Sequence, residues 1–259
     1  MTNASGVRYE KDGPVATITL CRPSPQNSRT LEPWRDLHDI GRRLTGDVRV
    51  VVIRGPAGAF ALDGSLATDT GTGSVEEPSA QLAELAQLPD SALEDRLATD
   101  QHSVRWLRRP DVVSIAAVRG PVVGGGCQLA LACDLRVVSD DTTFSLTEIT
   151  QGLVPGLGAT KHLVELVGYA RALELCLTAR TVAAAEAYRI GLASVVVPAI
   201  DLDAAVADLT AALLAAPRGA TSEIKALLSG AATRSLDDHL AAERAAQARL
   251  LRDLAGIGE

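Results

Sequence analysis

Four short runs of β-branched and aliphatic residues, separated by spans with helical spacing, constrain the fold of this chain more than any other feature. They are Val15–Leu20, Arg49–Arg54, Val112–Val118 and Leu135–Ser139. Short apolar runs bounded by glycine, proline or polar turns suit strands buried on both faces, and helices between them suit a parallel sheet. Thr30 is placed to cap a helix running to about Leu44, with Pro33 in its first turn and Leu37, Ile40 and Leu44 on one face. Residues 79–108 regain helical spacing, broken near Pro89-Asp90, and residues 66–80 read as a mobile surface segment rich in Thr, Gly, Ser and acidic residues. Helices are expected over about 159–177 and 182–190, with Val195–Val197 a short extended piece. From Leu202 onward the pattern is almost wholly helical. The expectation is therefore an α/β core over residues 1–200 and a helical region over 201–259 that covers the core or packs on a neighbouring subunit.

Composition narrows the function. The chain has 259 residues, is 47% hydrophobic and carries a formal charge of −7. A nucleic-acid binder would normally carry a basic stripe, so no nucleic-acid partner is expected. No apolar run reaches the ~18–20 residues of a membrane helix. Met1 to Lys11 lacks the basic-then-apolar pattern of a signal peptide. A soluble, cytoplasmic protein is expected. Cys21, Cys127, Cys133 and Cys176 form no C-x-x-C pair, which points to buried reduced thiols and no metal site. His38, His102, His162 and His239 have no partner pattern and are expected at the surface or in helix packing.

Three segments could carry chemistry. In Ser114 to Gln128 a strand enters the turn Gly124-Gly125-Gly126 and leaves as a helix. Two readings of it stand: tight packing of a turn, or backbone N–H donors at a helix start for a phosphate, a carboxylate or a developing oxyanion. The glycines do not fit G-x-G-x-x-G, so a dinucleotide site is disfavoured. The second segment is the turn-rich loop Phe60 to Ser65, where Gly64 is a further possible donor; G-x-S-x-G is absent, which disfavours a serine nucleophile at Ser65. In the third, Glu148 lies among apolar residues and glycines between Phe144 and Gly158. Burial there would raise its pKa and make it a usable base or acid near neutrality.

Together these segments resemble the crotonase superfamily, the enoyl-CoA hydratases and isomerases. The resemblance rests on Gly124-Gly-Gly-Cys-Gln-Leu-Ala-Leu-Ala-Cys-Asp134, on Phe144-Ser-Leu-Thr-Glu148 with Gly152-Leu-Val-Pro-Gly-Leu-Gly158, and on Arg22-Pro23 with Asn27. Gly168-Tyr-Ala-Arg-Ala-Leu-Glu-Leu and Ala185-Glu-Ala-Tyr-Arg-Ile-Gly-Leu match later helices, and the likeness spans roughly residues 7–230. It implies a crotonase-like spiral of ββα units with a helical C-terminal region, assembled as a homotrimer or hexamer. It also implies an acyl-CoA thioester substrate, with no cofactor besides the CoA that the substrate carries. Carried over residue by residue, the oxyanion donors are the N–H groups of Gly64 and Gly125, each worth ~2.7–4 kcal/mol by analogy with other oxyanion holes. Glu148 and Gln128 are the catalytic pair, and Ala61, Asp63, Gly124, Pro155 and Gly156 line the substrate.

The departures from the family pattern shape the reaction. Hydratases carry two glutamates, one in G-G-G-C-E and one in F-x-x-P-E; this chain has Gln128 at the first and Glu148 at the second. A glutamine amide accepts no proton at neutral pH, and losing one of two proton carriers would cost ~10²–10⁴ in rate. Isomerisation of a 3-enoyl-CoA through Glu148 alone is favoured over efficient hydration, with Gln128 orienting substrate or water. The Gln/Glu pair and Ser28-Arg-Thr-Leu-Glu32 also resemble carboxymethylproline synthases, which leaves decarboxylation or C–C bond formation from a malonyl-type thioester as an alternative. A non-catalytic acyl-CoA binder is a third. The first oxyanion loop reads Phe60-Ala-Leu-Asp-Gly-Ser-Leu66 where the family has F-x-A-G-x-D-L, which puts a side chain, Asp63, where glycine is usual.

Overall fold

Burial on both faces explains why the strand runs are continuously apolar. In the computed structural model, which describes residues 7–21, 32–55, 60 and 85–257, Val51 and Ile53 of β3 (Val50–Arg54) face one hydrophobic cluster. Val50 and Val52 face another. β4 (Val113–Val118) divides the same way, with Ala116 and Val118 on the first side and Ile115 and Ala117 on the second. Such strands need cover above and below, and the helices supply it.

The larger sheet has the order β1 (Val7–Asp12), β2 (Val15–Leu20), β3, β4, β6 (Leu135–Ser139), β9 (Val195–Val197). Only β1–β2 is antiparallel, with Val7 opposite Leu20; every later pair is parallel. A second sheet, β5 (Pro121–Val123), β7 (Thr143–Ser145), β8 (Val182–Ala183), stands beside it. The chain thus winds in turns, each placing one strand in each sheet and then a helix: β4, β5, α3 (Gly125–Ala132), then β6, β7, α4 (Ala159–Val167). This is the expected α/β architecture built of ββα turns. The earlier helices are α1 (Glu32–Arg43) and α2 (Asp90–Arg105), the latter with Pro89 at its N-cap, where the sequence breaks. After α4 come α5 (Tyr169–Thr178) and α6 (Ala184–Arg189), then α7 (Leu202–Ala215), α8 (Arg218–Gly230) and α9 (Leu236–Leu254).

Several expectations are corrected. The helix expected over 159–177 is two helices, divided at Gly168, whose φ of 77° few other residues adopt. The helix expected over 182–190 begins only at Ala184, because Val182 pairs with Phe144 in the second sheet. Cys127 and Cys133 are buried, but Cys21 and Cys176 are half-buried; all four are free thiols. Thr30, the 66–80 segment and Arg22-Pro23 with Asn27 lie outside the described residues. No helix among the described residues is long and apolar enough to cross a membrane.

α7 lies on the second face of the larger sheet through Leu202 and Val206. Arg49 closes its C-terminus, donating to the carbonyls of Leu214 at 2.9 Å and Ala216 at 2.6 Å. α8 is tied in by Lys225, whose ammonium meets the Asp134 carboxylate at 2.6 Å and donates to the carbonyls of Leu107 and Val112. The same Asp134 oxygen accepts from the Ser114 N–H at 2.7 Å and hydroxyl at 2.9 Å. Burial lowers the Lys225 pKa despite the facing carboxylate, so desolvation outweighs the attraction. Removing one partner is then costly, because it leaves a charge in a poorly hydrated place. Lys225→Met is expected to lower unfolding stability by about 2–3 kcal/mol, a little under the value for fully buried pairs since both groups keep some solvent contact. Urea titration checks this; an unchanged midpoint would show that α8 is held by packing alone.

Candidate active site

α3 starts where it does because of Gly124. With φ 51° and ψ −122° its backbone is closed to residues with a Cβ, and its N–H donates to the Ser145 carbonyl at 3.1 Å, tying the turn to β7. The first intrahelical bond runs from Gln128 N–H to the Gly124 carbonyl at 3.0 Å. The N–H groups of Gly125, Gly126 and Cys127 therefore have no acceptor within their own helix. Gly126 and Cys127 are buried, whereas Gly125 is half-exposed, so Gly125 is the member of this trio that a ligand from solvent reaches first. The dipole of the helix adds partial positive charge there.

One turn into the helix, Gln128 is only 7% exposed, and its amide faces two partners. Its Nε2 donates to Glu148 Oε1, and its Oε1 accepts from the Gly156 N–H at 3.1 Å. The partners dictate this orientation: a carboxylate only accepts and a backbone N–H only donates, so the amide fits one way round. A glutamate at this position could keep the Gly156 bond but would oppose one carboxylate with another.

Glu148 opens a 3₁₀ turn, Glu148–Gln151, that ends at Gly152, and its carbonyl accepts from Leu153 N–H at 3.0 Å. The residue is half-buried, and its carboxylate Oε2 is out of contact with solvent. Its charge reaches two thiols: burial first, and Glu148 second, push the Cys127 and Cys176 pKa values upward. Both stay protonated at neutral pH, which makes them packing groups and poor nucleophiles. Beyond the turn, Pro155 and Gly156 are half-buried, while Val154 is 81% exposed. Leu157 holds a φ of 53°, a strained value for a leucine, and packs its side chain on the main core.

The structure thus brings together residues singled out from sequence: Gly124 and Gly125 at the helix start, then Gln128 with Glu148 across from it. Gly156 joins them through its backbone, and Pro155 precedes it in the same loop. Ala61, Asp63, Gly64 and Ser65 lie outside the described residues; of that loop only Phe60 is described, fully buried in the core. Gln128, expected to orient substrate or water, spends one side of its amide on Glu148 and the other on Gly156. Sequence reasoning missed Arg108 and Arg136, which hold the far end of α3. The histidines are elsewhere: His102 bonds the Ala98 carbonyl, while His162 and His239 lie 3.6 and 3.5 Å from Glu165 and Glu243. No cluster of metal-ligand side chains occurs among the described residues.

Similar proteins give the family and the fold. A family model described as enoyl-CoA hydratase/isomerase matches residues 10–255. "Probable enoyl-CoA hydratase echA8" of Mycobacterium tuberculosis is 34% identical over 200 residues, 76% of this chain and 70% of the relative. A 4-chlorobenzoyl coenzyme A dehalogenase-2 from an Arthrobacter species is 31% identical over 89% of this chain and 80% of its own. Among solved structures, a Thermobifida fusca protein in complex with CoA superposes with a TM-score of 0.85 at 44% identity, covering 98% of this chain and 95% of that one.

Proposed function

Since the chain belongs to the enoyl-CoA hydratase/isomerase family, we propose that it acts on an acyl-CoA thioester through an enolate, with Glu148 as its single proton shuttle. The observation that carries this reading is the amide of Gln128 bridging Glu148 and Gly156. It fixes the one carboxylate of the pair beside the start of α3, where the half-exposed Gly125 offers an N–H to a thioester oxygen. Gly64 is the second donor in this reading, by the resemblance alone. CoA in the Thermobifida fusca structure supports the substrate class.

Proton bookkeeping selects among reactions. In isomerisation of a 3-enoyl thioester, Glu148 takes a proton from Cα and charge moves to the oxygen held by the backbone donors. The same carboxyl then returns the proton to Cγ, and the double bond moves from C3–C4 to C2–C3. One carboxylate suffices. Hydration adds a hydroxyl at Cβ and a proton at Cα, with one group deprotonating water; Gln128 cannot share that work. Isomerase-like chemistry is therefore favoured. No cofactor is needed beyond the substrate's own CoA, and the free thiols fit a cytoplasmic setting. The exposed apolar residues Ile224, Leu228, Leu236, Leu240 and Leu251 fit burial in a homotrimer or a dimer of trimers.

The test is α-proton exchange in D₂O, followed by mass spectrometry, across saturated, 3-enoyl- and malonyl-thioesters. Exchange with the saturated thioester and migration of the 3-enoyl double bond are expected. Loss of CO₂ from the malonyl thioester without double-bond migration would replace isomerisation by decarboxylation. Binding with no exchange anywhere would leave a binder.

Gly156 provides a finer check. Its backbone is open to alanine, and the one contact a new Cβ meets is Gln128 Oε1 at 3.2 Å. Gly156→Ala should displace that amide by a few tenths of an ångström, fold normally, and lower the exchange rate about 3–10-fold, since misplacement by 1 Å can cost about 10²-fold. Unchanged kinetics would show that the bridge does not set the position of Glu148.

A further inference from the structure

α3 is eight residues long, and all but Gly125 are buried, so the carbonyls that end it have no water to bond. Two guanidinium groups take them. Arg108, from the turn after α2, donates from Nε to the Ala132 carbonyl and from a terminal nitrogen to that of Leu131, both at 3.0 Å. Arg136, on β6 and 1% exposed, donates to the carbonyls of Ala130 at 3.3 Å, Cys133 at 2.9 Å and Leu192 at 2.6 Å. Among the described residues neither guanidinium forms an ion pair within 4.0 Å. Burying a charged group without a carboxylate is costly, and it is tolerable here because the partners form the negative end of a helix. Carbonyl Leu131 and carbonyl Ala132 are both fixed by one rigid planar fork, which sets the rotation and the axial position of a helix only about 12 Å long.

We propose that Arg108 is a positioning residue for the site: by clamping the Leu131 and Ala132 carbonyls it fixes where the Gly125 N–H points at the other end of α3. This rests on the acyl-thioester reading above. Arg108 is half-exposed, and Arg136 and the core keep the helix folded without it while its exact rotation depends on the Arg108 fork, so variants at 108 are expected to fold. It touches no reacting atom.

The experiment measures two properties of the full-length protein. One is the kcat and KM of α-proton exchange on butyryl-CoA. The other is the infrared carbonyl band of bound ¹³C1-butyryl-CoA, which reports polarisation by the backbone donors whether or not any proton moves. Arg108→Met is expected to lower kcat about 10-fold, to change KM less than 3-fold, and to shrink the downward carbonyl shift. Arg108→Lys, which keeps one donor centre, should fall between Met and wild type. A folded Arg108→Met protein with wild-type kcat and carbonyl shift overturns the proposal, as does a loss confined to KM. Should Arg108→Met fail to fold, Arg108→Gln takes its place with the same expectations, and wild-type values there overturn the proposal equally. A wild-type protein that polarises the carbonyl yet exchanges no proton removes the Glu148 reading, and the carbonyl shift in the variants then decides for Arg108. No carbonyl shift in the wild type overturns both.

Discussion

Glu148→Gln is expected to lower the rate of α-proton exchange by ~10²–10⁴-fold while leaving affinity for acyl-CoA within a few-fold of wild type. The replacement is nearly isosteric, and the amide oxygen of residue 148 still accepts from Gln128 Nε2, so the Gln128–Gly156 bond has no reason to break. What disappears is the one group of the bridged set that takes a proton at neutral pH. Cys127 and Cys176 do not replace it, since burial holds both as thiols. Measuring deuterium incorporation into butyryl-CoA together with its dissociation constant separates chemistry from binding. An unaffected rate would transfer the shuttle role away from Glu148; a rate and an affinity that fall together would make Glu148 a binding residue.

The strands buried on both faces were the most legible part of this chain. Leu135–Ser139 has the bounds expected from sequence, and Val50–Arg54 differs by one residue at its start, because an apolar run ends where its two-sided cover ends; the half-buried edge strand Val195–Val197 also has the bounds of the short extended piece expected. The second sheet was not legible. Pro121–Val123, Thr143–Ser145 and Val182–Ala183 are too short to show a period, and they exist as strands only because the winding of the chain brings them together. The candidate site followed the same division. The glycine turn and Glu148 stood out as local patterns. The Gln128–Glu148 bond, spanning 20 positions, and the bonds from Gly156 and Arg108 to α3 are products of tertiary folding. Arg136 left no trace at all. Within Leu-Arg-Val-Val-Ser it looks like the polar member of a strand, and its carbonyl partners come from α3, the turn after it and Leu192.

Gln128→Glu should turn the bridge into a carboxylate pair and with it change the reaction. The Gly156 N–H still has an oxygen to bond, but Glu148 then loses a donor and meets a second carboxylate at hydrogen-bond distance. Two such groups do not both ionise readily, so the pair keeps a shared proton above the ordinary carboxylate range and titrates in two macroscopic steps. That state holds one acid and one base side by side, which is what addition of water requires: the base deprotonates water as it attacks Cβ, and the acid delivers a proton to Cα. Hydration of crotonyl-CoA is expected to rise ~10²–10⁴-fold over wild type, with a bell-shaped pH profile. The stability of the variant gives an independent sign. A proton bound more tightly in the folded than in the unfolded state stabilises folding at low pH, and that contribution is lost as pH rises through the folded-state ionisation. Relative to wild type, the urea midpoint of Gln128→Glu should therefore fall more at pH 8 than at pH 5. A hydration rate that stays at the wild-type level, with midpoints showing the shared proton in place, would mean that a second carboxylate is not what this site lacks for hydration. The next place to look would then be the water position and the loop that carries Asp63 and Gly64.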